Sequence, residues 1–449
     1  MNGPAWPIGP VAQCRLISFD GSSAADCAVR RPDRYGAFRA GEGGPVIPRG
    51  AGLSYVAASF GDGATAIEMG AFDRILGFDP AERLVEVEAG VTLGDLYHFL
   101  LPRGCYLPVQ PGYGAINIGG CIGADVHGKN PAQDGTFISQ IESLTLFHPD
   151  HGMVELSATH EPQLFRATCG GFGLTGIVLT ARLRVQTLPG TAAEIALHPV
   201  ADVPAGAALL RGLPAGSGGA HTWHDFSRFD RGFGRGVARV FRFLPGEAAA
   251  EPALPLARLS PEWRGAWPIG LMNRWTLRAM NTVYALGQRA DGVARPADIA
   301  AVLFPIHGNE LYFRLFGRAG FHESQVILPP DRLPDYLDRL RDSARRLGIA
   351  ITLASAKLFA GAGDLLRFDG TGVSLAINLP RSRNSLAFLA DLDRCVIELG
   401  GRPNAIKDSR LGRAVLDATY PESDRFRTIL RQWDPKRRFR SYLSRRLEL

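Results

Sequence analysis

Apolar and polar positions alternate along residues 83–89, where Leu84, Val85 and Val87 interleave with Glu86 and Glu88, and again along residues 177–185, which read IVLTARLRV. A period of two over so few residues predicts half-buried strands. Asp150-His151-Gly152 marks a hairpin turn, and a helical period over residues 93–101 stops near Gly104. Between residues 45 and 185 glycine turns separate the strand patterns, and helices are few. This predicts an α+β fold and argues against a doubly wound sheet. The pattern breaks at Leu188-Pro189-Gly190, while residues 200–214 and 245–255, rich in Ala, Gly and Pro, read as connectors. The expected division is a first domain over residues 1–188, a second over 189–401, and a helix-like, basic segment over 402–449 that returns to the first.

A chain of 449 residues with 46% hydrophobic content supports two or three domains with cores of their own. The formal charge of +6 allows an anionic partner such as phosphate or a lipid head group. Cys14, Cys27, Cys105, Cys121, Cys169 and Cys395 are scattered, with no C-x-x-C and no nearby histidine pair, so no metal site is expected and the thiols are read as reduced. No basic leader followed by an apolar run opens the chain, and no window is apolar enough to span a bilayer; a soluble, cytoplasmic protein is expected. Residues 263–288 hold Trp263, Trp267, Trp275, Met280 and Val283 among Arg264, Arg274 and Arg278. They read either as a helix covering the core or as one lying in a membrane interface, peripheral at the inner membrane.

Three glycine segments carry the candidate chemistry. Residues 45–55 run from an apolar strand into Arg49-Gly50-Ala51-Gly52-Leu53-Ser54-Tyr55, a turn whose glycines let backbone N–H groups approach an anion. Residues 110–130 hold Gly112, Gly114, Gly119, Gly120, Gly123 and Gly128, with Asn117 and Lys129 able to add polar contacts. So many glycines are costly to order, and a backbone lying flat against a planar cofactor and its phosphates is a reason to keep them. The third segment, residues 170–176, contains Gly173, Thr175 and Gly176 and leads into the strand that begins at Ile177.

The order of these segments resembles the FAD-binding domain of flavoproteins of the vanillyl-alcohol-oxidase, or PCMH, type. Within that group the chain is most similar to the decaprenylphosphoryl-ribose oxidase family, flavoenzymes of cell-wall polysaccharide precursor synthesis. The likeness rests on residues 118–130 (IGGCIGADVHGKN), 171–177 (GFGLTGI), 357–359 (KLF), 407–410 (KDSR) and 445–449 (RRLEL). It implies a two-part FAD-binding domain completed by the C-terminal segment, and a substrate domain of antiparallel sheet flanked by helices. FAD contacts are implied for the first turn from Arg49 to Ser54, for Gly112, Asn117, Gly119, Gly120, Cys121, Gly123, Ala124, His127 and Gly128, and for Gly173, Thr175, Gly176 and Ile177. Relatives that bind FAD covalently have a histidine where this chain has Leu53, so non-covalent FAD is implied.

The same resemblance makes Lys407 the active-site lysine, a base or hydroxyl anchor beside the flavin, with Tyr55 and His127 as further catalytic groups. Lys129, Gln325, Lys357, Ser374 and Asn404 would line the substrate pocket, with Lys129 and Lys357 best suited to a phosphate. Ser374, Ala376, Leu303 and Asn404 depart from the family's asparagine, cysteine and two tyrosines. The expected activity is oxidation of a secondary hydroxyl of a polyprenyl-phosphate-linked pentose, ribose C2 to keto, with a short-chain NAD(P)H reductase as partner. Two rivals stand beside it: an oxidase of free alditols or aldonolactones, and a non-catalytic protein on the same fold that uses residues 436–440 (KRRFR) to bind nucleic acid or an anionic membrane.

Overall fold

A computed structural model of the chain describes residues 10–41, 43–190, 192–214, 218–230, 232–246 and 267–449. The start of the chain, Trp263, Arg264 and most of the 245–255 connector lie outside the described residues. β1 (Val11–Ile17), β2 (Ala24–Arg30), β3 (Val46–Arg49) and β4 (Thr65–Glu68) form a sheet in the order β1-β2-β4-β3. β4 runs parallel to β2 and β3, so the chain leaves β3 through a crossover, and that crossover is the first glycine segment. Next come β5 (Ile75–Asp79), β6 (Leu84–Glu88), β7 (Cys105–Tyr106), β8 (Ile141–His148), β9 (Gly152–Ser157), β10 (Ile177–Arg184) and β11 (Gln186–Thr187). β7 pairs with β11, and the other five make an antiparallel sheet in the order β5-β6-β10-β8-β9.

The middle of the chain builds an antiparallel sheet of eight strands: β12 (Ala192–Val200), β13 (Gly219–Asp225), β14 (Arg235–Leu244), β15 (Arg295–Ala297), β16 (Phe321–Leu328), β17 (Leu353–Ala360), β18 (Thr371–Pro380) and β19 (Arg402–Pro403). Their order is β15-β12-β14-β13-β17-β18-β16-β19. Side-chain alternation gives this sheet two different faces. Val326, Leu328, Ala354, Ala356, Leu375 and Ile377 point one way and share a core with Leu340 of the helix Leu333–Leu347 and with Phe388 and Leu392 of the helix Arg383–Glu398. Each fully buried leucine or phenylalanine there contributes roughly 2 kcal/mol. Glu323, Gln325, Lys357, Ser374 and Asn378 fall on the opposite register positions.

The C-terminal segment packs on the first sheet. Leu411, Leu416, Tyr420, Phe426, Leu443 and Leu447 share a core with Val46, Ile47 and Ile67, and backbone bonds join Val46 N to Arg438 O (2.8 Å) and Arg440 N to Val46 O (3.0 Å). The α+β architecture, with its FAD-binding part of PCMH type, is as expected.

The structure gives four local expectations their detail. Residues 200–214, read as a connector, hold the helix Val203–Arg211, capped by the Asp202 carboxylate. Its proline sits in the first turn, where a missing N–H costs nothing, and Gly206 fits because a Cβ there would stand 3.0 Å from Thr222 Cγ2. The helical pattern at 93–101 becomes the helix Leu93–Leu100, closed by a tighter turn that ends at Gly104, φ +66°. The basic run at 436–440 is largely occupied within the protein: Lys436 and Arg438 lie 3.0 and 3.1 Å from Asp150, and Arg437 donates to Leu449 O at 2.7 Å. Finally, the helix Arg274–Gly287 buries Leu277 and Asn281 but leaves Trp275, Val283 and Leu286 70%, 71% and 81% exposed, so most of its apolar residues do not cover the core. No described helix is long and apolar enough to cross a membrane.

Candidate flavin and substrate site

The three glycine segments converge. Where the chain turns after β3, Gly52 has φ +71°, and a Cβ there would fall on the Arg49 guanidinium. That guanidinium is buried, donates to Ser59 Oγ at 2.9 Å and lies 3.6 Å from Glu68. Gly50 faces the second segment, for its Cβ would stand 2.8 Å from Asn117 Oδ1. Asn117 precedes the helix Ile118–Ala124 and donates through Nδ2 to Gly90 O. The second and third segments join through Phe172 N to Gly123 O (2.8 Å) and Gly170 N to Ile122 O (2.9 Å). Gly173, φ +75°, closes on Pro48. The Thr175 hydroxyl meets Thr168 at 3.0 Å, its carbonyl accepts from the Trp433 indole, and Gly176 leads into Ile177 at the start of β10.

Not every glycine in the cluster does the same work. A Cβ on Gly119 would press on Ala89 at 3.0 Å, one on Gly112 on Pro305 at 3.3 Å, and one on Gly128 on the Gln110 backbone at 3.3 Å. Gly120 instead faces outward, and its Cβ would have nothing nearer than 3.9 Å. Cys121 is fully buried, with its thiol pushed up by burial, Ala124 is half-buried and Ala51 is exposed. Leu53 packs on the aromatic cluster of Phe19, Phe313 and Phe321. Asn117 Oδ1 and Ser54 Oγ are buried without a protein partner, a costly state for polar atoms. These orphaned oxygens beside the glycine segments fit FAD, which Asn117 and Ser54 would help to hold by accepting hydrogen bonds from it.

Beside this cradle lies the polar face of the large sheet. Lys407, from the turn after β19, places Nζ 3.0 Å from Glu323 Oε1 and 4.0 Å from the centre of the Tyr55 ring. Glu323 also accepts from Asn378 Nδ2 at 3.1 Å. Burial, with Glu323 nearby, raises the Tyr55 phenol well above its ordinary range. Gln325 Nε2 lies 3.0 Å from His127 Nε2 and 3.1 Å from Ser374 Oγ, while its Oε1 accepts from Asn404 Nδ2 at 2.9 Å. Ser374 and Asn404 therefore stand behind Gln325 as its supports. His127 packs edge-on against Phe359 and is held neutral, first by burial and then by Lys357. Lys357 Nζ donates to Gly128 O at 2.9 Å and lies 3.4 Å from His127 Nδ1. Burial and the Lys407 charge bring its ammonium down to about 7.

Lys129 is turned into the protein, donating to the carbonyls of Leu303 and Gln110. It also lines a cavity of about 290 Å³ with Leu210, Arg211, Leu358, Phe359 and Thr371. Sequence reasoning missed Glu323. Its signal was present in the FHESQVIL strand, where Glu323 and Gln325 stand two apart and so share one face of a strand buried throughout. A second signal was composition. The chain has 50 lysines and arginines but only four lysines, and Lys129, Lys357 and Lys407 are three of them. Arginine does not titrate in proteins, whereas a lysine ammonium shifts readily when buried.

Comparison with known proteins agrees with this geometry. A family model described as an FAD binding domain matches residues 37–157. The chain is 31% identical to decaprenylphosphoryl-beta-D-ribose oxidase of Mycolicibacterium smegmatis over 91% of its own length and 90% of that protein's. It is 32% identical to an uncharacterized Streptomyces coelicolor protein over 80% of this chain and all of the other. L-gulonolactone oxidase of Mus musculus is 31% identical over 26% of this chain and 27% of that enzyme. An FAD-dependent oxidoreductase acting on CH–OH groups follows, and the non-catalytic reading falls. The chain belongs to the family of decaprenylphosphoryl-β-D-ribose oxidase, and it carries an FAD-binding domain.

Proposed function

We propose that the chain oxidises a secondary hydroxyl of a polyprenyl-phosphate-linked pentose, ribose C2 to the keto sugar, as the first half of an epimerisation. The observation that carries this reading is the set Lys407, Gln325, His127 and Lys357 gathered over one sheet face beside the glycine cradle. Bound FAD accepts hydride. Leucine at position 53 has no ring nitrogen to join the flavin, which favours non-covalent binding. Lys407 holds the reacting hydroxyl over the Tyr55 ring, and His127 and Gln325 hold a neighbouring sugar oxygen. Lys357 meets the phosphate, because the Lys129 ammonium is already bonded to two carbonyls. A short-chain NAD(P)H reductase would return the keto product to the epimeric alcohol. The exposed Trp275, Val283 and Leu286, in a stretch holding Arg274, Arg278 and Arg289 and no acidic residue from 267 to 290, suit the anionic membrane surface where such a lipid-linked sugar resides.

Anaerobic mixing tests the substrate. A polyprenyl-phosphate ribose in anionic vesicles bleaches the flavin band, alditols and aldonolactones leave it, and Trp275→Ser with Leu286→Ser slows only the vesicle reaction. Bleaching by free alditols but not by the lipid-linked sugar overturns the proposal in favour of a free-polyol oxidase.

A pH dependence follows from Lys357. As pH rises through about 7 the free site loses this cation, so an anionic ligand loses its partner. The groups facing it are Lys407, Glu323 and His127, with His221 and Lys129 nearby. The dissociation constant of a soluble phosphodiester analogue, followed by flavin fluorescence, therefore rises by up to about tenfold per pH unit above that point. In Lys357→Met this slope is absent; a slope that persists assigns the phosphate to another group.

A further inference from the structure

The Lys407 ammonium is not alone in the site. Glu323 Oε1 is 3.0 Å away, on a side chain only 6% exposed, whereas Lys407 remains 28% exposed on the side where a substrate would approach. Oε2 of the same carboxylate takes a hydrogen bond from Asn378. Both oxygens are thus held, one by a neutral amide and the other by the lysine, with the Tyr55 phenol also within hydrogen-bonding reach, in a place where an unpaired carboxylate would be costly. The charged and titratable groups facing Glu323 are Lys407 from the turn after β19, Lys357 from β17, Tyr55 from the turn after β3, and Tyr312. A lysine fixed in this way cannot serve as a free amine base. It can pass a proton on only as fast as it receives one.

We propose that Glu323 is a positioning residue that holds Lys407 as an ammonium ion against the reacting hydroxyl and receives, through Lys407, the proton that this hydroxyl loses. In the oxidation the substrate C–H bond breaks, with hydride and its two electrons passing to bound FAD, while the O–H bond breaks and the C=O bond forms. As Lys407 Nζ takes the hydroxyl proton, the Nζ proton facing Oε1 moves to Glu323. Lysine begins and ends as ammonium, and glutamate ends as the neutral acid. The inference rests on the sugar-alcohol reading for its substrate, but not for the hold of Glu323 on Lys407.

Two measurements on the FAD-loaded protein test it. In Glu323→Gln, which keeps the shape and the Asn378 contact, anaerobic flavin reduction slows by roughly 100-fold and lacks the fall in rate toward acid pH that a proton-accepting carboxylate would give the native protein; Glu323→Asp restores that limb. In the second, an acylating amine reagent is applied and the four lysines are read by peptide mass. Lys407 reacts at least about tenfold faster in Glu323→Gln than in the native protein, because Nζ is no longer tied to a carboxylate, while the exposed Lys436, paired with Asp150, is unchanged. Reduction within about threefold of native with the acid limb intact, or equal acylation of Lys407, overturns the proposal. If no sugar reduces even the native flavin, the substrate reading has failed, and the acylation rates still decide the role of Glu323.

Discussion

Replacing Lys407 by methionine slows flavin reduction by the sugar substrate by about 10²–10⁴-fold and leaves the protein folded and yellow. Methionine keeps most of the aliphatic stem that crosses the Tyr55 ring, but it offers no donor for a hydroxyl and no charge for Glu323. Leaving that carboxylate without its cation costs about 1–3 kcal/mol, which lowers the melting temperature by a few degrees without unfolding so large a chain. Rapid mixing without oxygen measures the rate, and the visible spectrum measures the flavin retained. A reduction rate equal to the native one would remove Lys407 from the chemistry.

Substituting Gly120 by valine strips the protein of FAD while leaving its fold in place. Some glycines are needed by the protein itself and others only by a ligand. At Gly171 a Cβ would fall on the Ala167 carbonyl oxygen, so even alanine there disturbs the backbone. At Gly120 the Cβ has no protein atom within 3.9 Å, and the residue lies in a helix where a side chain is tolerated. A flavin lying against the helix would be what forbids it. Gly120→Val is therefore expected to match the native far-ultraviolet circular dichroism while its FAD dissociation constant rises at least about 100-fold. Gly171→Ala should lose melting temperature first. Equal FAD affinity in Gly120→Val would mean that the flavin lies elsewhere.

The sequence made the glycine cradle readable because its residues are local. Arg49 to Ser54, Asn117 to Ala124 and Gly173 to Ile177 are each one short continuous segment, and glycine density marks a backbone approached closely. The strands at 84–88 and 177–184 were readable from their period for the same reason. The pocket was harder, because its geometry is made by register. Gln325 meets Ala376, and Lys357 meets Ser374, only once β16, β17 and β18 align across intervals that no local pattern records. Ser374 and Asn404, expected as substrate contacts, also hydrogen-bond Gln325, a link visible only in the folded register. Glu323 passed unnoticed because a carboxylate in a short strand reads as a solvent-facing position. The helix Val203–Arg211 was hidden by its own Ala, Gly and Pro, residues whose helix propensity is decided here by capping and by packing on β13 and β17.

The backbone bonds between Val46 and residues 438–440 also govern how the protein is made. Translation delivers about 5–20 residues per second, so β3 waits roughly 20–80 s for the partner segment that seals its edge and core. Until then the flavin half presents Val46, Ile47 and Ile67 to the surroundings, while the large sheet, whose strands are complete by residue 403, can already have formed. The half of the protein that holds the glycine segments is therefore the first to be synthesised and the last to have its core closed.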